Sequence, residues 1–274
     1  MDLVNGHGRL VQALNARVYG NGTETLVLSH GFGSDQTVWH YILPCLAFYF
    51  KVVVFDLVFA GNVSPALYNP SKYSSYVSYA QDLQSLLDEL KVTKSIYLGH
   101  SMSAMIGCIA ATQRPDLFKQ LILLGASPRY LNAEGYYGGF ERSDVETVFQ
   151  AIRQNFSGWV SNFAPKAIGV NDMAAIKEFE RSLRRMKPDI ALDVAKTVFL
   201  SDYREVLKQV RVPCIIIQAE RDFVVPKSVA FYLETMIVGG YTKVEILETQ
   251  GHFPHLTAFP LLLGVLKKVL QIDN

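Results

Sequence analysis

The chain has 274 residues, of which 50% are hydrophobic and 19% are charged, so it is expected to be an ordered globular protein and not a disordered one. Its formal net charge is +1, which gives no reason to expect nucleic acid or an anionic membrane surface as a partner. The first residues lack the pattern of a secretory or transit signal, and no apolar run approaches the ~18 residues of a membrane span, so we expect an intracellular protein.

Short apolar runs rich in β-branched and aromatic residues alternate with segments of helical periodicity. This alternation predicts an α/β fold, with a mostly parallel sheet and helices on both faces. The predicted strands are residues 25–29, 51–56, 95–99, 120–125, 213–219 and 243–248. Residues 16–19 precede Gly20-Asn21-Gly22, and this turn predicts a hairpin with the first strand. Helical spacing of apolar residues predicts helices over 76–90 and 265–270.

Residues 128–202 differ from the sequence on either side. They contain no strand pattern, their periodicity is helical, and they are rich in aromatic residues. They also lie between the fourth and fifth predicted strands. We therefore predict a core formed by residues 1–127 and 203–274, with residues 128–202 inserted as a helical lid. The three cysteines, Cys45, Cys108 and Cys214, are predicted to be buried free thiols.

Ser101 lies in the segment Gly99-His100-Ser101-Met102-Ser103, between a predicted strand and an apolar helical run. In this arrangement a sharp strand-to-helix turn lifts the serine oxygen clear of the sheet, and small residues beside it let strand and helix approach. The usual motif ends in glycine, whereas Ser103 occupies that position here. We interpret Ser101 as a nucleophile.

A serine nucleophile needs a base, and the expected chain order is nucleophile, acid, histidine. Of the six histidines, only His252 and His255 follow Ser101. His252 comes directly after the last predicted strand, where a loop can direct its imidazole toward the serine. His255 lies beyond Pro254 and is expected at the rim of the site. His252 is therefore the predicted base, with His255 as the alternative.

The acid is sought among seven aspartates between the serine and this histidine. Asp222 alone closely follows a strong predicted strand, and Pro226 after it suits the start of a helix. Asp222 is predicted to orient the imidazole and to stabilise the imidazolium. Glu220 is the alternative.

Two backbone N–H groups are predicted to stabilise a developing oxyanion, those of Met102 and Phe32. Met102 begins the helix after the nucleophile, and Phe32 lies in the loop after the first predicted strand. Gly31-Phe32-Gly33 half-resembles a dinucleotide-binding fingerprint, but the third glycine is missing. No metal-ligand spacing occurs, and neither a metal nor a cofactor is expected.

Taken with these residues, the sequence resembles the plant butenolide-receptor family, the strigolactone and karrikin receptors, over nearly its whole length. The most specific segments are residues 31–36, 99–107, 114–118, 125–130, 138–141 and 187–192. Ser103 is itself the family's form of the motif. Residues 56–61 are similar to the strigolactone receptor, whereas Tyr130 and residues 163–165 are similar to the karrikin receptor. The mixture is most like the third, receptor-like branch.

The resemblance implies an α/β-hydrolase fold with a four-helix lid, a butenolide-type ligand that is slowly cleaved, and a location in cytoplasm and nucleus. It assigns Ser101, Asp222 and His252 to a catalytic triad. It places Phe32 and Met102 at the oxyanion site. Its pocket-lining positions correspond to Phe32, Tyr130, Phe140, Trp159, Phe163, Phe179 and Phe199. Without the resemblance, these aromatic residues would be interpreted as core.

The resemblance also implies an F-box protein and repressor proteins as partners. Arg184 and Arg185 replace an aromatic residue and an amide of the usual lid sequence, so we expect these partners to bind weakly or not at all. A solvated basic face is the simpler interpretation of the pair. Two other functions stay open for the chain: a general carboxylesterase without a signalling role, and a ligand-binding module with a vestigial triad.

Overall fold

The fold is known from a computed structural model that describes residues 9–272, apart from the side chain of Arg9. Within these residues seven strands form one sheet in the order β1-β3-β2-β4-β5-β6-β7. Only β1, which pairs with β3, is antiparallel to its neighbour. The strands are β1 (Arg17–Tyr19), β2 (Thr25–Ser29), β3 (Lys51–Phe55), β4 (Ser95–His100), β5 (Phe118–Leu124), β6 (Cys214–Arg221) and β7 (Thr242–Gln250).

The predicted hairpin is wrong. The six predicted strands correspond to β2–β7, and their ends differ by at most two residues. The chain between β1 and β2 instead passes the start of β3, with Gly22 packed so closely against the backbone of Tyr49 and Phe50 that a Cβ would clash. β1 and β2 therefore lie on opposite sides of β3 and do not pair with each other.

Every residue of β4 and the first six residues of β6 are buried. Burial of successive residues, which point to opposite faces, shows that helices cover both faces of the sheet. The helices are α1 (Arg9–Ala13), α2 (Leu43–Tyr49), α3 (Tyr76–Glu89), α4 (Met102–Gln113), α5 (Arg142–Gln154), α6 (Phe156–Ile168), α7 (Met173–Arg184), α8 (Pro188–Phe199), α9 (Arg204–Leu207), α10 (Lys227–Met236), α11 (Pro254–Thr257) and α12 (Phe259–Leu270). Among them, none is both long enough and apolar enough to cross a membrane. The predicted α/β fold is confirmed.

Helices α5–α8 all lie between β5 and β6, within the segment predicted to be the lid. The two ends of this segment meet, because Arg129 forms a β-bridge with Asp202 and its Nη1 donates to the Asp202 carboxylate at 2.6 Å. The division into core and lid stays a prediction, and the contact between Arg129 and Asp202, at the two ends of the segment, supports it. All three cysteines are free: Cys108 and Cys214 are buried as predicted, whereas Cys45 is only half-buried.

Candidate active site

The sheet brings together three residues that are far apart in sequence. Ser101 follows β4, Asp222 follows β6 and His252 comes two residues after β7. Because β4, β6 and β7 are parallel, their carboxyl ends lie along one edge of the sheet, which is where open α/β sheets bind their ligands.

The turn at Ser101 is strained. Its φ of 58° and ψ of −122° lie outside the regions that residues with a side chain usually adopt. A Cβ at Gly99 would lie 2.5 Å from the Ser103 carbonyl oxygen, so strand and helix cross too closely for any other residue there. This backbone places Ser101 at the start of α4, directly after the last residue of β4.

Ser101, His252 and Asp222 form a continuous chain of hydrogen bonds. The Ser101 hydroxyl lies 2.9 Å from His252 Nε2, and His252 Nδ1 lies 2.7 Å from Asp222 Oδ2. Since a carboxylate only accepts, Nδ1 carries the proton and Nε2 is free to accept the serine proton. The Asp222 carboxylate is itself fixed, because its Oδ1 accepts from the N–H groups of Val224 and Val225.

The alternative base and acid lie elsewhere. Glu220 is exposed and pairs with Lys227 at 3.5 Å. His255 is fully buried, so its predicted position at the rim is wrong. Its ring lies between Trp39 and His100, with centroid distances of 4.7 and 4.5 Å. Pro254 begins the short helix α11, which contains His255, and the His100 ring contacts the rings of both His255 and His252.

The two predicted oxyanion donors are available. Met102 is the first residue of α4, and the first N–H groups of a helix have no partner within it. The Phe32 N–H donates to no acceptor among the described residues. Both groups flank Ser101, because a Cβ on Gly31 would lie 3.0 Å from the Ser101 Cβ. An oxyanion formed at Ser101 would therefore meet two unused donors.

Ser103 ties the helix to the loop that carries the second donor. Its buried Oγ donates to the His30 carbonyl at 2.5 Å and accepts from Ser29 Oγ at 3.0 Å. The Tyr97 hydroxyl donates to the Ser103 carbonyl at 2.9 Å. The serine that replaces the usual glycine thus fixes α4 against Ser29, the last residue of β2, and against His30, which lies two residues before Phe32.

Two contacts of the site were missed from the sequence. The Tyr130 hydroxyl lies 3.3 Å from Ser101 Oγ, although Tyr130 was predicted only as a pocket-lining residue. His100 Nε2 donates to the His252 carbonyl at 2.8 Å. Burial, together with the neighbouring histidines, lowers the pKa of His100 well below its usual range, so His100 is neutral. The only feature of the sequence that could have indicated a role for His100 is its position next to Ser101.

The end of helix α6, which lies within the predicted lid, contacts the predicted base directly. The His252 N–H donates to the Ala167 carbonyl at 2.7 Å. Gly251, at a φ of 95°, lies against the turn after α6, where a Cβ would be 1.8 Å from the Ile168 carbonyl oxygen. Gly169 faces it at a φ of 73°. Both the positive φ and the close approach require glycine at these positions.

Four of the seven predicted pocket residues, Phe140, Trp159, Phe163 and Phe199, line one groove of about 420 Å³ between lid helices. We call it the lid groove; Val148, Ala151 and Phe223 also line it. The other three predicted residues pack against this wall, and the ring centroids are 6.3 Å apart for Phe32 and Trp159, 5.5 Å for Tyr130 and Phe199, and 6.2 Å for Phe179 and Phe163.

The lid groove reaches the predicted nucleophile through single side chains. Phe199, in the groove, packs on Tyr130, whose hydroxyl contacts Ser101 Oγ. On the other side Trp159 packs on Phe32, whose N–H is a predicted oxyanion donor. The groove has a volume typical of pockets for small apolar ligands.

A mostly parallel sheet with a strained serine turn after its central strand and a histidine after its last strand defines an α/β hydrolase. The family model described as alpha/beta hydrolase fold matches residues 24–259. A strigolactone esterase of Arabidopsis thaliana is 48% identical over 261 residues, covering 95% of this chain and 97% of that protein. A karrikin insensitive 2 receptor of Petunia hybrida is 45% identical over 267 residues, covering 97% and 98%.

Among solved structures, a hydrolase from Oleispira antarctica aligns with a TM-score of 0.94 at 31% identity and covers all of both chains. The chain therefore belongs to the α/β-hydrolase fold family and, within it, to the family of the strigolactone esterases and karrikin receptors. The predicted resemblance and the predicted hydrolase class are confirmed.

Proposed function

We propose that the chain is a serine hydrolase that binds a butenolide-containing ligand and slowly cleaves it by acyl transfer to Ser101. The observation that carries this proposal is the unbroken hydrogen-bond chain Ser101–His252–Asp222 beside an aromatic groove. A ligand-binding module with a vestigial triad would not need to keep the serine, the base and the acid aligned. The unbroken series of hydrogen bonds therefore favours an enzyme.

In this mechanism Ser101 Oγ attacks the ester or lactone carbonyl while His252 Nε2 takes the hydroxyl proton. Negative charge develops on the former carbonyl oxygen and is stabilised by the N–H groups of Phe32 and Met102. Asp222 stabilises the imidazolium. His252 then returns the proton to the leaving oxygen, and an acyl group remains on Ser101. Water, deprotonated by His252, attacks that acyl group and releases the acid.

Tyr130 adds a further contact. Because the Ser101 hydroxyl donates to His252, the hydrogen bond between the two hydroxyls runs from Tyr130 to Ser101 Oγ. Burial, the largest effect, raises the pKa of Tyr130, which keeps its hydroxyl protonated as a donor. We infer that Tyr130 orients the nucleophile in the resting enzyme and moves aside when substrate enters.

The butenolide ligand is inferred from relatives named a strigolactone esterase and a karrikin receptor. The lid groove supports it, because aromatic walls suit a compact apolar ring system. The second candidate, a general carboxylesterase, differs in substrate range: it would hydrolyse many acyl esters rapidly. Comparing turnover of a butenolide with turnover of simple acyl esters separates the two.

The test is incubation with a fluorogenic butenolide, followed by intact-mass measurement, for the wild-type chain and Ser101→Ala. We expect fluorescence release and a covalent adduct in the wild type, and neither in Ser101→Ala. Folding should survive, since the change removes one oxygen; circular dichroism checks this. More than a few per cent of wild-type turnover in folded Ser101→Ala would overturn the assignment.

For the location we propose cytoplasm and nucleus, and for partners an F-box protein that binds weakly. Arg184 lies on the lid surface, where its guanidinium donates to the hydroxyls of Ser157 and Ser161. Loss of an apolar anchor and gain of charge both weaken a docking surface. A pull-down should therefore capture little F-box protein, and Arg184→Phe should capture more. Strong ligand-dependent capture by the unmodified chain would contradict this.

A further inference from the structure

The lid groove contains one charged side chain, that of Lys166. The other described residues that line it are apolar or polar and uncharged. Lys166 lies in the last turn of α6, with its Nζ 5.8 Å from the ring centroid of Phe223, which is half exposed. This cation–π contact holds the ammonium group at the mouth of the groove.

The ammonium group of Lys166 has no carboxylate partner among the residues that the structure describes. It takes part in none of the ion pairs between residues 9 and 272. A lysine in the last turn of a helix is favourable for that helix, but any exposed position in the turn would serve. At this position the positive charge faces the space that the ligand of the groove would occupy.

A second cleft continues from the same mouth. We call it the basic cleft; it has a volume of about 510 Å³, and Lys166 and Phe223 line it together with Arg221, Lys227 and Gln250. Its exposed carboxylate, that of Glu220, already pairs with Lys227 at 3.5 Å. The Asp222 carboxylate, though close in sequence, is buried and bonded to His252. Neither Lys166 nor Arg221 forms an ion pair with a carboxylate among the described residues.

We propose that the ligand of this site carries a carboxylate on its apolar body, and that Lys166, with Arg221 behind it, binds this carboxylate at the junction of the lid groove and the basic cleft. The proposal rests on the proposed hydrolase function. The apolar body would lie along Trp159 and Phe199, with the reacting carbonyl at Ser101. The carboxylate would stay half solvated at the mouth, where its desolvation costs little.

The experiment compares two aryl esters with the same apolar acyl chain. One chain ends in a carboxylate and the other in the primary amide of the same shape. We expect the wild-type KM to be about fivefold lower for the acid than for the amide, equivalent to about 1 kcal/mol, and the difference to shrink at high salt. In Lys166→Met the ratio of the two KM values should fall to about one, whereas Lys166→Arg should keep most of it.

The matched control is Lys177→Met, which removes the same charge from α7 at an exposed position that lines neither the lid groove nor the basic cleft. It should keep the wild-type ratio. A wild-type ratio near one, or a ratio lowered equally by Lys166→Met and Lys177→Met, would overturn the carboxylate site.

Binding is measured in parallel by calorimetry with the two non-hydrolysable ethers that correspond to the esters. If neither ester is cleaved, the hydrolase function fails while the ratio of the two Kd values still decides the carboxylate site. A preference for the acid ether that disappears in Lys166→Met supports the site in that case. Equal affinities for the two ethers overturn it.

Discussion

Arg185, at the end of the lid helix α7, donates a hydrogen bond to the carboxylate of Asp35, whose side chain is 1% exposed. Ser182 of the same helix donates to that carboxylate at 3.1 Å, and Asp35 caps the 3₁₀ turn Gln36–Trp39 by accepting from Thr37. Arg185 is exposed, as expected for a solvated basic face, but it is not merely solvated. It joins the end of α7, within the predicted lid, to a buried carboxylate of the predicted core.

We expect Arg185→Asn to lower the free energy of unfolding by about 1–2 kcal/mol, because a buried carboxylate loses its cationic partner. Arg184→Asn is the control: its guanidinium bonds to hydroxyls within the lid, so its cost should stay below about 0.5 kcal/mol. Urea denaturation of both variants measures the difference, and equal stabilities would show that the ion pair contributes nothing.

The effect of Arg185→Asn on the free energy of unfolding should depend on pH. Burial, the largest effect, favours the protonated form of Asp35, but the hydrogen bonds from Thr37 and the charges of His30 and Arg185 outweigh it, so the pKa of Asp35 lies below its usual 3.8. A lowered pKa stabilises the fold above 3.8, and this contribution is lost as the pH falls through the folded value. The stability gap between wild type and Arg185→Asn should therefore narrow below pH 4.

Asp222→Asn should reduce kcat by about 10⁴-fold with little change in structure, as in the serine-protease precedent. The contacts of Asp222 give the reason: Oδ1 accepts from two backbone N–H groups, so the amide of an asparagine would keep its oxygen there. Its NH₂ would then face His252 Nδ1 and favour the wrong tautomer. Steady-state hydrolysis measures the loss, and Glu220→Gln, which changes the alternative acid, should cost far less than Asp222→Asn.

Ser103→Ala should lower kcat about tenfold, less than the 10²–10³ expected when an oxyanion donor is removed outright. The change deletes the bond to the His30 carbonyl, so the loop that carries Phe32 is held less firmly. Ser103→Gly restores the generic motif but makes the same deletion, and it should be no more active. Wild-type kcat in either variant would show that this bond does not position the donor. The free energy of unfolding of Ser103→Ala should be lower than that of the wild type by about 1–2 kcal/mol.

Acid should destabilise the protein in part through His255. Burial, with the nearby histidines, lowers its pKa from 6.5 to about 3, so between these values the unfolded chain binds a proton that the folded chain does not. Stability is then lost at up to about 1.4 kcal/mol per pH unit as the pH falls below 6.5. His255→Phe keeps a ring between Trp39 and His100 but removes this proton.

Unfolding of wild type and His255→Phe should therefore be compared at pH 7.5 and pH 5. We expect the variant to gain about 2 kcal/mol relative to the wild type over this interval. Parallel stability curves would mean that His255 is protonated in the folded state. His100 and His30, whose pKa values burial also lowers, should leave some acid dependence in the variant.

Strands β2–β7 could be predicted from continuous apolar runs, because strands covered on both faces bury nearly every residue. Ser101, Asp222 and His252 could be predicted from their order in the chain. The pairing of β1 was not predictable: its three residues are exposed and carry no burial pattern. Neutral buried histidines such as His255 give no signal in a sequence, since the same residue is equally common at a surface. The contact of Ala167 with His252 runs between backbone groups, which every sequence possesses.

The predicted lid, residues 128–202, is continuous in sequence, so it could be exchanged between relatives as one unit. The hydrogen bond from His252 to Ala167, and the fit of Gly251 against the Ile168–Gly169 turn, make that exchange conditional. A chimera whose grafted lid differed at the turn after α6 would release the backbone of the base while leaving the sheet intact. Such a hybrid would fold and bind yet hydrolyse poorly. Variation among lids should therefore be concentrated on their aromatic and outer faces, while the turn after α6 changes only together with residues 250–252.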